Sequence, residues 1–575
     1  MLVKEGTPVS PGIVIAEAVV LGLDEQRVPL RQIGRGEVDT ELRRLDRAVA
    51  QAGREIEEEI GNLAAGFELP RQILGVHRDM IRDPALRAAV EKTVRGDHLS
   101  AESALARVME GYYRRFEEMD SNYIAERSLD LRDIERRIVG ILIGKRHGGA
   151  PQVAKPSVII ARNLAPGETA TLDREKVLAF AIDVGGRTSH TAILARALQI
   201  PAVVGLETIS GAVRTGDLVI VDGYRGKVIV QPDKKTVEEY RSRAVSHRQH
   251  YQLLLKEIPF PTETVDGYEL AVAANIELPE EIHSAVEWGA AGIGLYRSEF
   301  LFDGADLDEE KHYRTYRGAL KTLRDRFMVV RTMDLGGDKL PGGSRASEVN
   351  PFLGCRAIRL SLEQPDLFKA QVRAILRASA HGTVRLMLPM VSNLDELRSA
   401  RDLIRQVEDD LRRRGIEFDP EVKVGIMVEV PSVALMADQF AREVDFFSIG
   451  TNDLIQYALA VDRVNERVGH LYQPTHPAIL RLIRMVIDAG KRNRIDVSCC
   501  GEMVSEPIYA ILFMGLGLRS FSVSPIAIPT LKRAFRQISM KEAVDIAQTC
   551  MQFESARESR RYLESRLAYC IPGDS

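Results

Sequence analysis

One stretch organises the chain: Gly185-Gly186-Arg187-Thr188-Ser189-His190-Thr191-Ala192-Ile193-Leu194-Ala195-Arg196. Its two glycines end a strand-like apolar run over Val177–Val184, and Thr188 and Ser189 are of the residue types that cap the start of a helix. His190 is therefore predicted in the first turn of a helix, beside unpaired backbone N–H groups. A neutral imidazole there is a nucleophile, and the helix N-terminus would stabilise a phosphoryl group transferred to it. An ordinary capped helix with an exposed histidine is the competing interpretation.

The composition is that of a large globular protein. The 575 residues are enough for several domains, and 45% hydrophobic with 28% charged residues is typical of soluble chains. The net charge of −4 gives no reason to expect nucleic-acid binding. No apolar run reaches the roughly 18 residues of a membrane span, and the start lacks the apolar core of a signal peptide. Five cysteines do not make a disulfide framework, so a reduced, cytoplasmic protein is predicted.

The N-terminal half predicts an α/β domain that is interrupted by helices. Strand signals occur within Gly6–Leu21, around a turn at Ser10-Pro11-Gly12, and return from about residue 153. After that point the predicted strands are Ser157–Ala161, Val177–Val184, Leu218–Asp222 and Lys227–Val230. Between them, apolar residues recur at steps of three and four, which is typical of amphipathic helices. We expect an α/β domain over residues 1–21 and 145–232 and a helical bundle over 22–144. The apolar stripes are interpreted as bundle core, and a docking surface for a protein partner is the alternative.

The C-terminal half predicts a different architecture. Residues 233–260 are highly charged with a helical pattern that ends at Pro259 and Pro261, so they are expected to form a helical linker. From Pro261 onward, short apolar strands alternate with longer helical stretches, which favours a (β/α)8 barrel over 261–575, with a doubly wound sheet as the competing topology. The eight predicted strands are Leu270–Ala274, Gly292–Leu295, Phe327–Val330, Val384–Leu388, Val424–Val428, Phe446–Ile449, Ile495–Cys499 and Phe521–Val523.

Polar and reactive residues follow several of these strands, and in a barrel their side chains would meet at one mouth. Each of them alone could belong to an ordinary surface ion pair. Together they suit phosphoryl transfer, because two carboxylates can hold a hard divalent cation and arginines can bind phosphate and carboxylate groups. The residues concerned are Arg297, Arg331, Glu429, Asn452, Asp453 and Cys500.

A resemblance to a known family joins both halves. Gly185–Arg196, continued by Ile200–Gly205, resembles the phosphohistidine loop of enzymes that transfer phosphate from phosphoenolpyruvate. The later segments resemble those of the Enzyme I family, the phosphoenolpyruvate–protein phosphotransferases of bacterial sugar uptake. Those segments are Gly294–Phe302, Arg331–Lys339, Asn350–Arg359, Gly425–Ser432, Phe447–Leu454, Ala460–Arg463 and Cys500–Met503.

The resemblance implies a role for each matching residue. His190 would carry the phosphoryl group on Nε2, Cys500 would protonate the enolate carbon, and Glu429 and Asp453 would hold Mg²⁺. Cys499 is expected to be a structural thiol, because strand alternation sends it away from Cys500. The residues implied in substrate binding are Arg297, Arg331, Asn452, Asp453, Arg463, Lys339 and Arg356.

The resemblance also implies partners: the helical insert would bind an HPr-type phosphocarrier protein, and the barrel would form a homodimer. His190 lies in the α/β domain, while the expected substrate-binding residues lie after Pro261, and the same histidine must also meet the carrier. One fixed geometry cannot serve both transfers, so the α/β domain is expected to swivel between the barrel and the carrier. His77, on the second helix of the insert, is expected to contact the carrier. A nitrogen-branch phosphotransferase, a dikinase or synthase that also uses ATP, and a non-catalytic regulator remain alternatives. No glycine-rich nucleotide loop occurs in the insert, which disfavours the dikinase.

Overall fold

The computed structural model describes residues 1–21, 30–62, 68–117, 122–144, 155–164, 176–186, 191–192, 195, 200–302, 307–336, 350–462, 465 and 467–568. It divides into two compact units, Met1–Gln249 and His250–Ser575. The helix Lys234–Glu257, predicted as the charged linker, begins in the first unit and ends in the second. Within the described part of the chain, no helix is both long and apolar enough to cross a membrane.

The first unit contains one eight-stranded sheet in the order β1-β8-β7-β3-β4-β5-β6-β2. The central strands β3, β4, β5 and β6 run parallel, and the remaining pairings are antiparallel. The sequence prediction missed two strands: β1, which is one edge of the sheet, and β6, which lies next to the other edge strand. The strands are β1 Leu2–Glu5, β2 Thr7–Ser10, β3 Ile13–Leu21, β4 Ser157–Ala161, β5 Val177–Ile182, β6 Ala202–Val204, β7 Leu218–Asp222 and β8 Lys227–Val230, with a short helix at Ile209–Ala212.

The predicted helical insert lies between β3 and β4, so the interrupted α/β domain is confirmed. Its third helix is capped by Asp83, which accepts a hydrogen bond from the backbone N–H of Ala85. The expectation that His77 contacts a partner is wrong for this structure, because only 1% of the residue is exposed. The helices are α1 Val38–Asn62, α2 Glu68–Ile81, α3 Pro84–Asp97, α4 Ala101–Glu117 and α5 Asn122–Leu142.

The second unit is a closed barrel of parallel strands, in the order β10-β11-β12-β13-β14-β15-β16-β9. Closure through the pairing of β16 with β9 confirms the (β/α)8 prediction and excludes the doubly wound sheet. The strands are β9 Ala271–Ile276, β10 Gly292–Arg297, β11 Phe327–Arg331, β12 Val384–Leu388, β13 Lys423–Val428, β14 Phe446–Ile449, β15 Asp496–Cys499 and β16 Ser520–Val523.

Helices follow the barrel strands and cover their outer surface. Alternate residues of each strand pack against these helices in one large apolar core, and the others point into the barrel. The described helices of this unit are Glu281–Glu287, Glu309–Leu323, Ile358–Glu363, Pro365–Ser379, Leu394–Arg413, Pro431–Leu435, Ala437–Phe440, Thr451–Leu459, Pro477–Asn493, Pro507–Leu516, Ile528–Phe535, Met540–Cys550 and Ala556–Arg566.

The inside of the barrel is packed rather than hollow. An inner apolar cluster fills its middle, formed by Leu295, Val329, Met387, Met427, Phe446 and Cys500. Towards the amino ends of the strands, the guanidinium of Arg385 lies 4.9 Å from the ring centre of Phe327 and 5.9 Å from that of Phe446. These cation–π contacts help to close that end, which leaves the carboxyl ends of the strands as the place for chemistry.

Two glycines in barrel helices should respond oppositely to alanine. In the helix Pro507–Leu516, a Cβ at Gly515 would lie 2.0 Å from the carbonyl oxygen of Ala543, so Gly515→Ala should force two helices apart and destabilise the unit by about 1–3 kcal/mol. A Cβ at Gly318, in the helix Glu309–Leu323, would have no neighbour within 4 Å, so Gly318→Ala should stabilise it by about 0.5–1 kcal/mol. Urea unfolding of both variants checks the prediction, and equal effects would contradict this packing.

Candidate active site

At the carboxyl ends of the barrel strands, the side chains that point into the barrel are charged or reactive. Arg297 and Arg331 are the last residues of β10 and β11, while Glu429 directly follows β13 and Cys500 directly follows β15. Each lies an even number of residues beyond a member of the inner cluster on its own strand or is itself a member. In β10 the register shifts between Ile293 and Tyr296, which turns the end of that strand so that Leu295 and Arg297 share the inner row.

Arg331 is a buried cation held by two carboxylates. Its Nη2 donates to Glu299 Oε1 at 2.9 Å, and its Nη1 lies 3.0 Å from Asp334 Oδ2. Burial alone would lower the pKa of Arg331, but Glu299, Asp334 and Glu429 outweigh it and raise that pKa, so the guanidinium stays charged. The Nε of Arg331 is buried without a hydrogen-bond partner among the described atoms, and an anionic ligand would supply one.

Arg356 is fixed by the same aspartate. Its Nε and Nη2 lie 3.1 and 2.7 Å from Asp334 Oδ1, and its Nη1 donates to Tyr457 Oη at 3.4 Å. Nη1 also lies 3.9 Å from Asp453 Oδ1. Asp334 therefore accepts from two guanidinium groups, which holds Arg331 and Arg356 side by side in front of the barrel.

Glu429 is a carboxylate in an unfavourable place. It is 1% exposed, and the backbone N–H of Met390 donates to its Oε1 at 2.7 Å. Burial first, and then the neighbouring Asp453 and Asp334, raise the pKa of Glu429 well above its usual range, against the opposing effect of Arg331. Asp453 lies in the first turn of the helix Thr451–Leu459, directly after β14. A cation between these two carboxylates would remove much of their repulsion.

Arg297 and Asn452 complete the part of the rim that the structure describes. Arg297 Nη1 donates to Glu277 Oε1 at 2.6 Å. The backbone N–H of Glu502 donates to Asn452 Oδ1 at 3.1 Å, which ties the first turn of the helix Thr451–Leu459 to the segment that follows Cys500.

Cys500 and Cys499 point to opposite sides of the barrel wall, as strand alternation predicted. Cys500 belongs to the inner cluster and is 3% exposed, whereas Cys499 packs in the outer core. Burial raises the pKa of the Cys500 thiol, as does the charge of Glu429. The hydrogen bond from Ser448 acts in the other direction, and so do the charges of Arg331 and Arg297. At neutral pH this thiol is protonated and can serve as an acid.

The structure thus brings together most of the residues singled out from the sequence. Those found at the barrel rim are Arg297, Arg331, Arg356, Glu429, Asn452, Asp453 and Cys500. His190, Lys339 and Arg463 lie outside the described residues, so their roles stay predictions. Sequence reasoning missed Glu277, Glu299 and Asp334, the carboxylates that hold the arginines. Two of these stand inside the quoted motifs Gly294–Phe302 and Arg331–Lys339, where acidic residues beside arginines were a signal.

Three family models match successive parts of the chain. The model of the PEP-utilising enzyme N-terminal domain matches residues 5–127, that of the PEP-utilising enzyme mobile domain residues 153–226, and that of the PEP-binding domain residues 253–540. The last of these contains the whole rim described above.

Curated relatives match over nearly the full length. The chain is 41% identical over 563 residues to the phosphoenolpyruvate-protein phosphotransferase of Geobacillus stearothermophilus, covering 96% of each. It is 39% identical over 564 residues to that of Bacillus subtilis strain 168, covering 96% of this chain and 98% of the relative. Among solved structures, the solution structure of Enzyme I (nEIt) shares 39% identity, with a TM-score of 0.36, over 43% of this chain and 99% of that one.

The shared aspartate should matter more for stability than a surface one. In Asp334→Asn, Arg331 and Arg356 lose their common negative partner in a buried setting, which should cost about 3 kcal/mol even though repulsion of Glu429 is relieved. The matched control is Asp438→Asn, which breaks an exposed pair with Arg492 and should cost less than about 1 kcal/mol. Urea unfolding without ligands measures both, and equal losses would show that Asp334 is not the centre of this network.

Proposed function

The chain belongs to the phosphoenolpyruvate-protein phosphotransferase family, and we propose that it transfers the phosphoryl group of phosphoenolpyruvate to His190 and then to a histidine of an HPr-type phosphocarrier protein. Relatives that align with this chain over 96% or more of their own length carry the name of this activity. We place the reaction at the first step of sugar uptake. The nitrogen-branch, dikinase and non-catalytic alternatives are not favoured by these matches.

The observation that carries the proposal is the convergence at the barrel rim. Guanidinium groups of Arg331 and Arg356 stand beside the carboxylates Glu429 and Asp453, with a protonated thiol, Cys500, in the same inward row. Phosphoenolpyruvate offers a phosphate and a carboxylate for arginines to bind, and its enolate product needs a proton at carbon. Arg297, Asn452, Lys339 and Arg463 are proposed as further substrate contacts.

The side chains at the rim are suited to binding a divalent cation. Among the described residues, the three arginines of the rim stand beside five carboxylates, so a substrate with several negative charges would be repelled without a cation. The carboxylates are those of Glu277, Glu299, Asp334, Glu429 and Asp453. Glu429 and Asp453 would hold Mg²⁺ with water and substrate as the remaining ligands, since the described residues offer no cluster of three His, Cys, Asp or Glu side chains placed to hold a metal. When bound, Mg²⁺ would neutralise charge on the phosphate and the enolate oxygen.

The chain's own residues would convert phosphoenolpyruvate to pyruvate by a phosphoryl transfer followed by a proton transfer. Nε2 of neutral His190 attacks phosphorus in line with the bridging oxygen, and the P–O bond breaks with its electron pair left on the enolate oxygen. Arg331 and Arg356, already fixed by Asp334, stabilise the charge that spreads over the phosphoryl oxygens. The thiol of Cys500 then gives its proton to the enolate carbon, which yields pyruvate.

We further propose four functional parts and a swinging movement. They are a phosphohistidine domain of residues 1–21 and 145–232, a carrier-binding bundle of 22–144, a linker of 233–260 and the barrel of 261–575. A phosphoryl transfer needs reacting atoms about 3–3.5 Å apart, yet His190 must meet both a substrate in the barrel and a carrier protein. The match of residues 153–226 to a mobile domain supports a domain that moves between the two.

We also propose a homodimer through the barrel and a cytoplasmic location. Large apolar side chains are exposed on segments that follow β11 and β13, with Phe352 at 49%, Leu353 at 65% and Leu435 at 64% exposure, and a second copy would cover such surface. A reducing compartment is needed because Cys500 must remain a thiol in order to donate its proton, and the described cysteines are all free.

Two variants should separate the two chemical steps. His190→Ala removes the phosphoryl acceptor but leaves the barrel rim intact, so it should abolish phosphohistidine formation and keep Mg²⁺-dependent binding of phosphoenolpyruvate. Cys500→Ala removes the acid, so exchange of pyruvate methyl hydrogens with D₂O should fall about 100-fold or more. Radiolabel transfer and NMR measure the two. A stable phosphohistidine in the first variant, or wild-type exchange in the second, would refute the corresponding assignment.

The movement can be tested by preventing it. A crosslink that pins the phosphohistidine domain to the barrel with substrate present should permit one phosphorylation of His190 and block transfer to the carrier. A fragment of residues 1–259 should do the reverse: it should exchange phosphate with the phosphorylated carrier and take none from phosphoenolpyruvate. Normal turnover of the carrier by the pinned enzyme would contradict the swinging model.

A further inference from the structure

A continuous polar row that includes Cys500 crosses the inside of the barrel, and its other members have no part in the proposed reaction. It runs from Ser448 on β14, through Cys500 after β15, to Asn275 on β9 and Ser522 on β16. All four residues lie on the inner side of strands that are neighbours in the closed barrel. Polar groups in an apolar barrel interior are costly unless they are paired, and these four residues are paired with one another.

The sulfur itself has one close polar partner in this row. The hydroxyl of Ser448 donates to Cys500 Sγ at 3.2 Å, and Ser448 is 1% exposed, so water does not compete for the contact. The only other described hydrogen-bond partner of the sulfur is the carbonyl oxygen of Ile449, at 3.8 Å. The thiol is otherwise surrounded by the apolar inner cluster.

The backbone of Cys500 is fixed from both sides. Its N–H donates to the carbonyl oxygen of Ile449 at 3.1 Å, and its carbonyl oxygen accepts from Asn275 Nδ2 at 2.9 Å. Asn275 is oriented in turn by Ser522, whose hydroxyl donates to Asn275 Oδ1 at 2.6 Å. Strand β10 passes close to this serine and can do so because residue 294 is glycine: a Cβ there would lie only 2.3 Å from Ser522 Oγ.

We propose that Ser448 is a positioning residue for proton delivery: its hydroxyl holds the Cys500 sulfur in place and stabilises the thiolate that forms when the thiol gives up its proton. The inference rests on the proposed function, in which Cys500 is the acid. In the step, the S–H bond breaks and the sulfur keeps its electron pair, while the π electrons of the enolate form the new C–H bond of pyruvate. A hydrogen bond from Ser448 strengthens as negative charge develops on sulfur, so it favours the transition state over the resting thiol.

The charged groups that act on the sulfur do not replace this contact. Glu429, Arg331 and Arg297 influence Cys500 through space, but no hydrogen bond joins any of them to the sulfur among the described contacts. The arginines are engaged with Glu299, Asp334 and Glu277 and with the proposed substrate. Among the described residues, Ser448 is the one that contributes a directional donor to the atom that loses the proton.

The test compares two variants of Ser448 whose new side chains have nearly the same shape, each made in the full chain and assayed with Mg²⁺. Threonine and valine are nearly isosteric, and only threonine keeps a hydroxyl, so Ser448→Thr and Ser448→Val share any cost of the extra bulk in the barrel. Exchange of the pyruvate methyl hydrogens in D₂O is the readout, because it reports proton transfer at carbon without the phosphoryl step. We expect Ser448→Val to exchange about tenfold more slowly than Ser448→Thr, with the KM for pyruvate unchanged.

Two further comparisons make the outcome specific. Ser448→Ala should lose about tenfold in exchange rate relative to wild type, while Ser498→Ala, which removes a hydroxyl from the paired position on β15 that donates to the Phe447 carbonyl, should stay within twofold. Equal rates for the threonine and valine variants, or equal losses in the two alanine variants, would overturn the role of Ser448. Absence of exchange in the wild-type chain with Mg²⁺ would instead overturn the proposed function on which it rests.

Discussion

A closed parallel barrel sends every second side chain of each strand inward, and the site depends on this constraint. The inward positions at the end of β10 and β11, and directly after β13 and β15, lie at the same rim, whatever the distance between those strands along the chain. Arg297, Arg331, Glu429 and Cys500 occupy these positions. The apolar layer beneath them and the cation–π contacts of Arg385 at the opposite end make the barrel a rigid support, so the rim groups keep their spacing.

The charged groups of the rim are not balanced without a bound ligand and cation. Glu299 and Asp334 hold Arg331, and Asp334 also holds Arg356, so both guanidinium groups are oriented before any ligand arrives. Such preorganisation lets them stabilise developing charge without rearranging during the reaction. Burial raises the pKa of Glu429 well above its usual range, and the neighbouring Asp453 and Asp334 raise it further against the opposing effect of Arg331. A divalent cation and a multiply charged anion together would satisfy both requirements.

Much of this architecture follows from hydrophobic periodicity and the sequence motifs, and the rest depends on contacts across the fold. The strands Val384–Leu388 and Phe446–Ile449 agree with the prediction residue by residue. The strand Ala202–Val204 was missed because three residues are too few to show alternation. His77 was misjudged because periodicity tells which residues share a helix face but not which face other helices cover. The pairing of Ser448 with Cys500, 52 residues apart, is set by barrel closure and has no local signal.

The central claim is that the barrel rim and His190 form one phosphoryl-transfer system with phosphoenolpyruvate as donor. It is tested most directly by mixing the wild-type chain with phosphoenolpyruvate labelled on phosphorus, in the presence of Mg²⁺ and without a carrier, and by mapping the labelled peptide. The account predicts one acid-labile, alkali-stable phosphoryl group per chain on the peptide that contains His190, with one pyruvate released for each. Label on another peptide, or pyruvate released without labelled protein, would contradict it.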